Sequence, residues 1–267
     1  MYGFLLKKSF CDGWDNLLSV IITNVILLFT LLGSLYLAAL SAKLDNSLIL
    51  AAIFILACVV ISILTFAYGD CAAEIANFNG IGLADYFKAI PGCIKDGALF
   101  GLLVSVAAIL SFFAFDYYYL QLNSLIGVFL GSIILWLDVF LMLSLQWFLP
   151  VRSLMHNDFK KCFKKCLIIF FDNTGFSILV GLHTLLSLVI TVVFIGFIPG
   201  FAGILIHNTN ALRLRLYKYD YLEEHPELKT RKERRAIPWE ELIYEDRETL
   251  GPRKFKTFLF PWKDEER

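Results

Sequence analysis

The stretch "FSILVGLHTLLSLVITVVFIGFIPGFAGILI", Phe176 to Ile206, decides the fold. It runs for 31 residues without an Asp, Glu, Lys or Arg. A helix crossing a bilayer core needs about 20 apolar residues, so the run is too long for one ordinary span and too short for two. "GFIPG", Gly196 to Gly200, divides it. Proline disfavours helix at the residue before it and opens helices well. The reading is a fifth span over 176–197 and a new helix from Pro199, apolar to about Ile206 and then continuing as "HNTNALRLRLYKY".

Four further apolar runs precede it, over 17–41, 47–68, 98–115 and 125–149, each of helix length and free of proline. Hydrophobic residues make up 58% of the 267 and charged residues 18%, with mean hydropathy +0.68. A soluble domain carries roughly 45–50% apolar and about 25% charged residues, so the composition is that of a membrane protein. Net charge is zero. The distribution informs more than the total, because charges crowd into short loops and the C-terminal segment.

Basic loops stay in the cytoplasm. With a cytoplasmic N-terminus, the inner loops hold nine Lys and Arg (Lys7, Lys8, Lys88, Lys95, Arg152, Lys160, Lys161, Lys164 and Lys165), while the outer loops hold Lys43 alone. "KTRKERR", Lys229 to Arg235, belongs inside too. Both termini on one side require an even number of crossings, hence a sixth span over 199–216, with Arg213 and Arg215 snorkelling to the inner interface. Lys7 and Lys8 resemble the start of a signal peptide, but the apolar run that follows is too long for a cleaved one.

Three segments precede the odd-numbered spans: "KKSFCDGWDNLL", "DYFKAIPGCIKDGALF" and "DFKKCFKKCLIIFFDNTGFSI". Each has Phe and Lys, then an aspartate (Asp15, Asp96, Asp172), then Asn or Gly, then an apolar run. They read as three copies of one unit: an interfacial amphipathic helix (4–15, 83–96, 156–171), a span outward and a span back. Any helical hairpin starting on the basic side shares some of this pattern, and that is the alternative. The fold class is then all-α, a polytopic bundle of six spans followed by a cytoplasmic tail over 217–267.

"DFKKCFKKC", Asp158 to Cys166, raises the question of a metal or redox site. Phe159, Cys162, Phe163 and Cys166 recur at helical spacing, flanked by Lys160, Lys161, Lys164 and Lys165. That pattern is a helix lying on the membrane face with lysines toward anionic headgroups. A zinc site wants four ligands at close spacing, and only His156 is near. No cofactor or metal motif is present, and no nucleophile elbow, phosphate loop or paired catalytic carboxylates, so nothing argues for an enzyme.

Asp138 lies at the centre of the fourth span. A charge at the bilayer centre costs roughly 2.5–3.5 kcal/mol on insertion scales and needs a partner inside the bundle. It reads either as a cation, proton or substrate site, or as a protonated acid bonded to one neighbouring helix. Asn24, Ser105 and His183 each stand eight residues after Asn16, Gly97 and Gly175, a shared depth of about 12 Å at 1.5 Å per residue. With Asp138 they form a candidate polar cluster; interhelical polar glue is the alternative. Gln146 and Asn208 are candidates for an entrance nearer the cytoplasm. "FDYYYLQLN", Phe115 to Asn123, is an interfacial aromatic belt.

The tail mixes charges, which argues against nucleic-acid binding. "PWEELIYEDRETL" reads as a helix started at Pro238. Trp239, Phe258, Phe260 and Trp262 suit docking to a membrane or a protein partner, against the alternative of a solvated tail.

"DYFKAIPGCIKDGALFGLL", "DFKKCFKKCLIIFFDNTGFSILVGL" and the closing "GFIPGFAGILIHNTNALRLRLYKYDY" resemble the YesL-like family of bacterial integral membrane proteins, over roughly 14–221. The resemblance implies a multi-pass protein of the inner membrane that serves as an accessory component beside carbohydrate uptake systems. It brings no catalytic residues, and the long tail departs from it. Two functions follow: an accessory or scaffold component of a membrane transport system, or a transporter whose site is the cluster around Asp138.

Overall fold

The computed structural model describes residues 1–43, 46–122, 124–228, 230 and 233–253, and all regular structure among them is helical. The elements are α1 (Tyr2–Asp15), α2 (Leu17–Ala42), α3 (Ser47–Ala76), α4 (Leu83–Phe115), a π-helical turn (Asp116–Gln121), α5 (Leu125–Leu145), α6 (Phe148–Met155), α7 (Phe159–Asp172), α8 (Thr174–Val193), α9 (Gly200–Glu224), a 3-10 turn (Glu233–Arg235), α10 (Trp239–Leu242) and α11 (Tyr244–Leu250). Five segments are long and apolar enough to cross a membrane: Leu17–Ser41, Ser47–Ala76, Leu83–Gln121, Leu125–Met155 and Thr174–Val193.

Burial divides the molecule into two ends. Along most of α2, α5 and α8 the large apolar side chains are exposed, among them Phe29, Leu125 and Val192. An apolar exterior of this extent needs hydrocarbon around it, not water. The buried residues gather at the other end, here the base. There residues of α1, the second half of α3, the first turns of α4, α6, α7 and α9 share one core around Phe66, Tyr68, Tyr86, Trp147, Phe148 and Phe170. At 1.5 Å per residue the 25 residues of α9 span about 37 Å.

α3 and α4 make the most extensive helix pair, for a reason visible in α4. Gly97, Gly101 and Ser105 stand four residues apart and share a face. A Cβ on Gly97 would lie 2.7 Å from Ile63 Cα, and one on Gly101 2.6 Å from Val59 Cα. Small residues at this spacing let two backbones meet and gain dispersion energy that lipid tails cannot match. Gly127 and Gly131 repeat the device in α5, where the Tyr118 carbonyl and the Tyr119 ring occupy the space of their missing side chains.

Breaks between helices have local causes. Pro150, in the first turn of α6, cannot donate to the Gln146 carbonyl, so the expected span over 125–149 ends at Leu145 and restarts at Phe148. α1 gives way to α2 at Asn16, and α7 to α8 at Asn173. Each Asn amide folds back on the carbonyl four residues earlier, Asp12 at 2.9 Å and Ile169 at 3.3 Å. The expected second unit differs. 83–96 and 98–115 are one continuous helix through Pro91, because Asp96 at the junction is satisfied sideways by Arg152 at 3.4 Å and Gly97 is packed on α3. The matching pairs are thus Asp15–Asn16 and Asp172–Asn173. Gly175 falls two residues late, and the position equivalent to Asn24 is Gly181 instead of His183.

The opening stretch breaks earlier than expected. α8 ends at Val193, because Ile195 and Gly196 take positive φ of 52° and 85°. Gly200, at φ +61°, begins α9. α9 continues as helix past residue 217 to Glu224.

Candidate functional site

α9 contacts α1, α2, α3, α6 and α8, which surround it. Its segment "HNTN", His207 to Asn210, is therefore buried on every face, each residue at most 4% exposed. Four successive polar residues in a helix point in four directions, and each must find a partner or forfeit its hydration. Asn210 donates to Asp12 Oδ2 at 2.7 Å. Lys8 donates to the same oxygen at 2.9 Å, and its ammonium sits 3.6 Å from the centre of the Phe78 ring. Burial pushes the Lys8 ammonium down and the Asp12 carboxyl up, and their mutual attraction opposes both shifts. His207 Nδ1 lies 3.1 Å from Ser9 Oγ, and its ring stacks on His183 with centres 3.6 Å apart. Among the described residues no acid bonds this imidazole, and Asp12 is committed to Lys8 and Asn210.

The seam continues down α9. Arg213 donates to the Ala76 carbonyl, to Asp246 Oδ1 at 3.0 Å and to the Tyr217 hydroxyl. Tyr217 in turn donates to Asp246 at 3.2 Å. Snorkelling of Arg213 and Arg215 to the inner interface was expected, and their contacts are instead within the protein. Arg213 closes the end of α3, whose terminal carbonyls lack helical partners, and Arg215 is 7% exposed. These contacts draw the C-terminal segment back to the base. Ile243 and Leu250 are buried, Lys7 donates to the Gly251 carbonyl at 3.1 Å, and Arg253 pairs with Asp15 at 2.5 Å.

A second cluster ties α3, α4 and α6 together. Asp70 accepts from Arg152 at 2.5 Å, Ser153 at 2.8 Å and Cys93 at 3.3 Å, while Arg152 reaches Asp96. One arginine thus bridges two carboxylates on different helices.

The four residues expected to cluster do not meet. Asp138 is half-buried and accepts from Ser111 on α4 at 2.8 Å. Ser105 is fully buried and donates to the Leu102 carbonyl in its own helix. His183 lies on His207, with Ser187 Oγ 3.5 Å from its Nδ1. Asn24 is a clamp. It donates to the Phe197 and Pro199 carbonyls at 2.8 and 2.9 Å and accepts from the Ala202 N–H at 3.0 Å. Asn24 and Thr191, which accepts from Gly200 N–H at 2.9 Å, satisfy the backbone where α9 begins. Both proposed entrance residues are held by the fold. Asn208 is buried, and Gln146 donates to the Leu143 and Ser177 carbonyls at 2.8 and 2.9 Å.

On α7, Cys162 and Cys166 are buried with Ile169 and Phe170, and Lys160, Lys161 and Lys164 are exposed. Lys165 is half-buried beside Met155. Burial pushes the Cys162 thiol up to about 11, which keeps it protonated and unreactive. Among the described residues no group of three His, Cys, Asp or Glu is placed to hold a metal. Trp239 is half-buried beside Arg215, with the guanidinium 5.3 Å from its ring centre, whereas Phe258, Phe260 and Trp262 lie outside the described residues.

Sequence reasoning missed Lys8, Ser9, Asp12, His207 and Asn210. The available signal was the uninterrupted "HNTN" inside a segment otherwise read as a span, which only a helix enclosed by protein can carry. No protein-family model, curated protein or solved structure matches this chain.

Proposed function

We propose that the chain is a non-enzymatic accessory or scaffold component of a membrane transport system, with the base as its working surface. The bundle crosses six times, α9 supplying the last crossing, in units that each begin on the basic side. Both termini are then cytoplasmic, and Lys160, Lys161 and Lys164 face anionic headgroups. The observation that carries this reading is the integration of the tail. Asp246, Ile243 and Leu250 bind into the base as part of the fold, which builds a platform where a transporter would offer a passage. The link to carbohydrate uptake rests on the YesL-like resemblance.

The rival reading, transport through Asp138, needs that carboxylate to communicate with His183. Its contact to Ser111 is instead ordinary interhelical polar glue. Carbohydrate uptake in cells lacking the chain, complemented with variants matched for abundance, separates the two. Asp138→Leu restores uptake and Asp246→Arg does not. Failure of Asp138→Leu together with full rescue by Asp246→Arg would reverse the assignment.

A further inference from the structure

A cavity of about 800 Å³ opens at the base where the α7–α8 junction, the second half of α9 and the segment leading to α10 meet. Its walls carry Arg215, Lys218 and Arg234 against the carboxylate of Asp172, with Phe176 and Trp239 as apolar faces. Lys218 and Asp172 neutralise each other at 3.0 Å. Arg215 feels the Asp172 carboxylate only through space. It is 7% exposed and, among the described residues, makes no ion pair. Its Nη1 has a long contact of 3.4 Å to Asn173 Oδ1, its Nη2 meets only the Met1 sulfur, and its Nε has no acceptor. The guanidinium lies 3.7 Å from the Phe176 ring centre and 5.3 Å from that of Trp239. All four neighbours line the cavity, so the charge is held at its wall.

A buried guanidinium whose nearest carboxylate, Asp172, is already paired with Lys218 is incompletely neutralised, and an acceptor-rich anion lowers that cost. Thr174, Gly175 and Phe176, which open α8, line the same cavity. The N–H groups of a helix's first turn lack intrahelical acceptors and favour anions. A Cβ on Gly175 would meet nothing within 4 Å, so the space before this helix start is open. We propose that this cavity is a binding site for a phosphate group carried on a larger molecule, with Arg215 and the start of α8 as the fixed donors, Arg234 as a cation at the rim, and Phe176 and Trp239 flanking the remainder. Its volume exceeds a bare phosphate and suits a phosphate ester. A soluble phosphorylated compound and a phospholipid headgroup present the same chemistry. The assignment does not depend on the scaffold role.

The test uses the full chain, delipidated in a non-ionic detergent, with the midpoint of thermal unfolding as readout. One arm titrates inorganic phosphate against chloride at equal ionic strength. The other adds phosphatidylglycerol, with phosphatidylcholine for comparison. The expected result is a midpoint raised by phosphate, by phosphatidylglycerol, or by both. An effect of phosphate assigns a soluble source, and an effect of phosphatidylglycerol alone assigns the headgroup. Arg215→Gln abolishes the effect. Because that variant removes a buried charge and can misfold, Arg234→Gln at the exposed rim decides, weakening binding about tenfold, as loss of one charge-assisted bond does. No midpoint shift in either arm, or a shift undiminished in Arg234→Gln, overturns the proposal.

Discussion

Replacing Gly101 with alanine tests the packing that holds the bundle together. The new methyl would sit 2.6 Å from Val59 Cα, 2.8 Å from the Cys58 carbonyl oxygen and 2.9 Å from Val59 N. Carbon contacts are most favourable at about 3.5–4.0 Å, so α3 and α4 must part by about 1 Å. All three obstructing atoms are backbone, so no side chain can swing aside. Overpacking of this kind costs about 1–3 kcal/mol. Alanine returns roughly 0.5–1 kcal/mol through its better helix propensity. The net expectation is a loss of roughly 0.5–2 kcal/mol in reversible unfolding in detergent, followed by circular dichroism. Gly92→Ala is the internal control. It lies in the same helix with nothing within 4 Å of the added carbon, so it should be neutral or stabilising. Equal unfolding midpoints for the two variants would refute the argument that glycine at 101 is there for close backbone approach.

Other perturbations probe the polar contacts. Asn24→Leu strands the Phe197 carbonyl and the Ala202 N–H at the start of α9, while Pro199 keeps the Gly203 N–H, and should cost about 2–4 kcal/mol in the same assay; a smaller loss than that of Gly101→Ala would argue against the clamp. Asp12→Ala leaves Lys8 buried without its partner and should cost about 3–5 kcal/mol, with the Lys8→Met/Asp12→Leu double variant recovering much of it in a double-mutant cycle. Additive losses would show that the pair is not coupled. For Asp172, burial alone would raise the carboxyl, but Lys218, Tyr219 and Asn173 hold it below its ordinary range. A folded value below the unfolded one contributes stability that is present above about pH 4 and lost as the pH falls through the folded value. The unfolding midpoint of the wild type should therefore drop more steeply than that of Asp172→Asn below pH 4. Parallel curves would contradict this.

Hydropathy located the five long apolar segments and the break at "GFIPG", because both are properties of consecutive residues. The amphipathic character of α7 was readable for the same reason: Cys162 and Cys166 recur on one face and Lys160, Lys161 and Lys164 on the other. What escaped depends on contacts between residues far apart in the chain. Nothing local to Asp96 announces that Arg152 will satisfy it, so a helix break was expected where α4 runs on unbroken. Nothing local to Asp246 announces Arg213. Ser105 and Asn24 drew attention as polar residues in apolar helices, yet Ser105 belongs to a stripe of small residues and Asn24 caps a backbone. Polarity at a shared depth shows that a side chain needs a partner, and leaves open which partner it finds.

The proposal of an even number of crossings puts Met1 and Arg253 on one face of the membrane, with α9 returning the chain after the fifth apolar segment. Met1 beside Arg215, and Arg253 beside Asp15, bring residues near the two ends to that one surface. The most direct measurement fuses a reporter that is active only in the cytoplasm to either end of the full chain, and a reporter active only outside to the loop between α2 and α3. The account predicts that both end fusions are active and that the loop fusion is active too. An inactive fusion at one end with an active one at the other would contradict it.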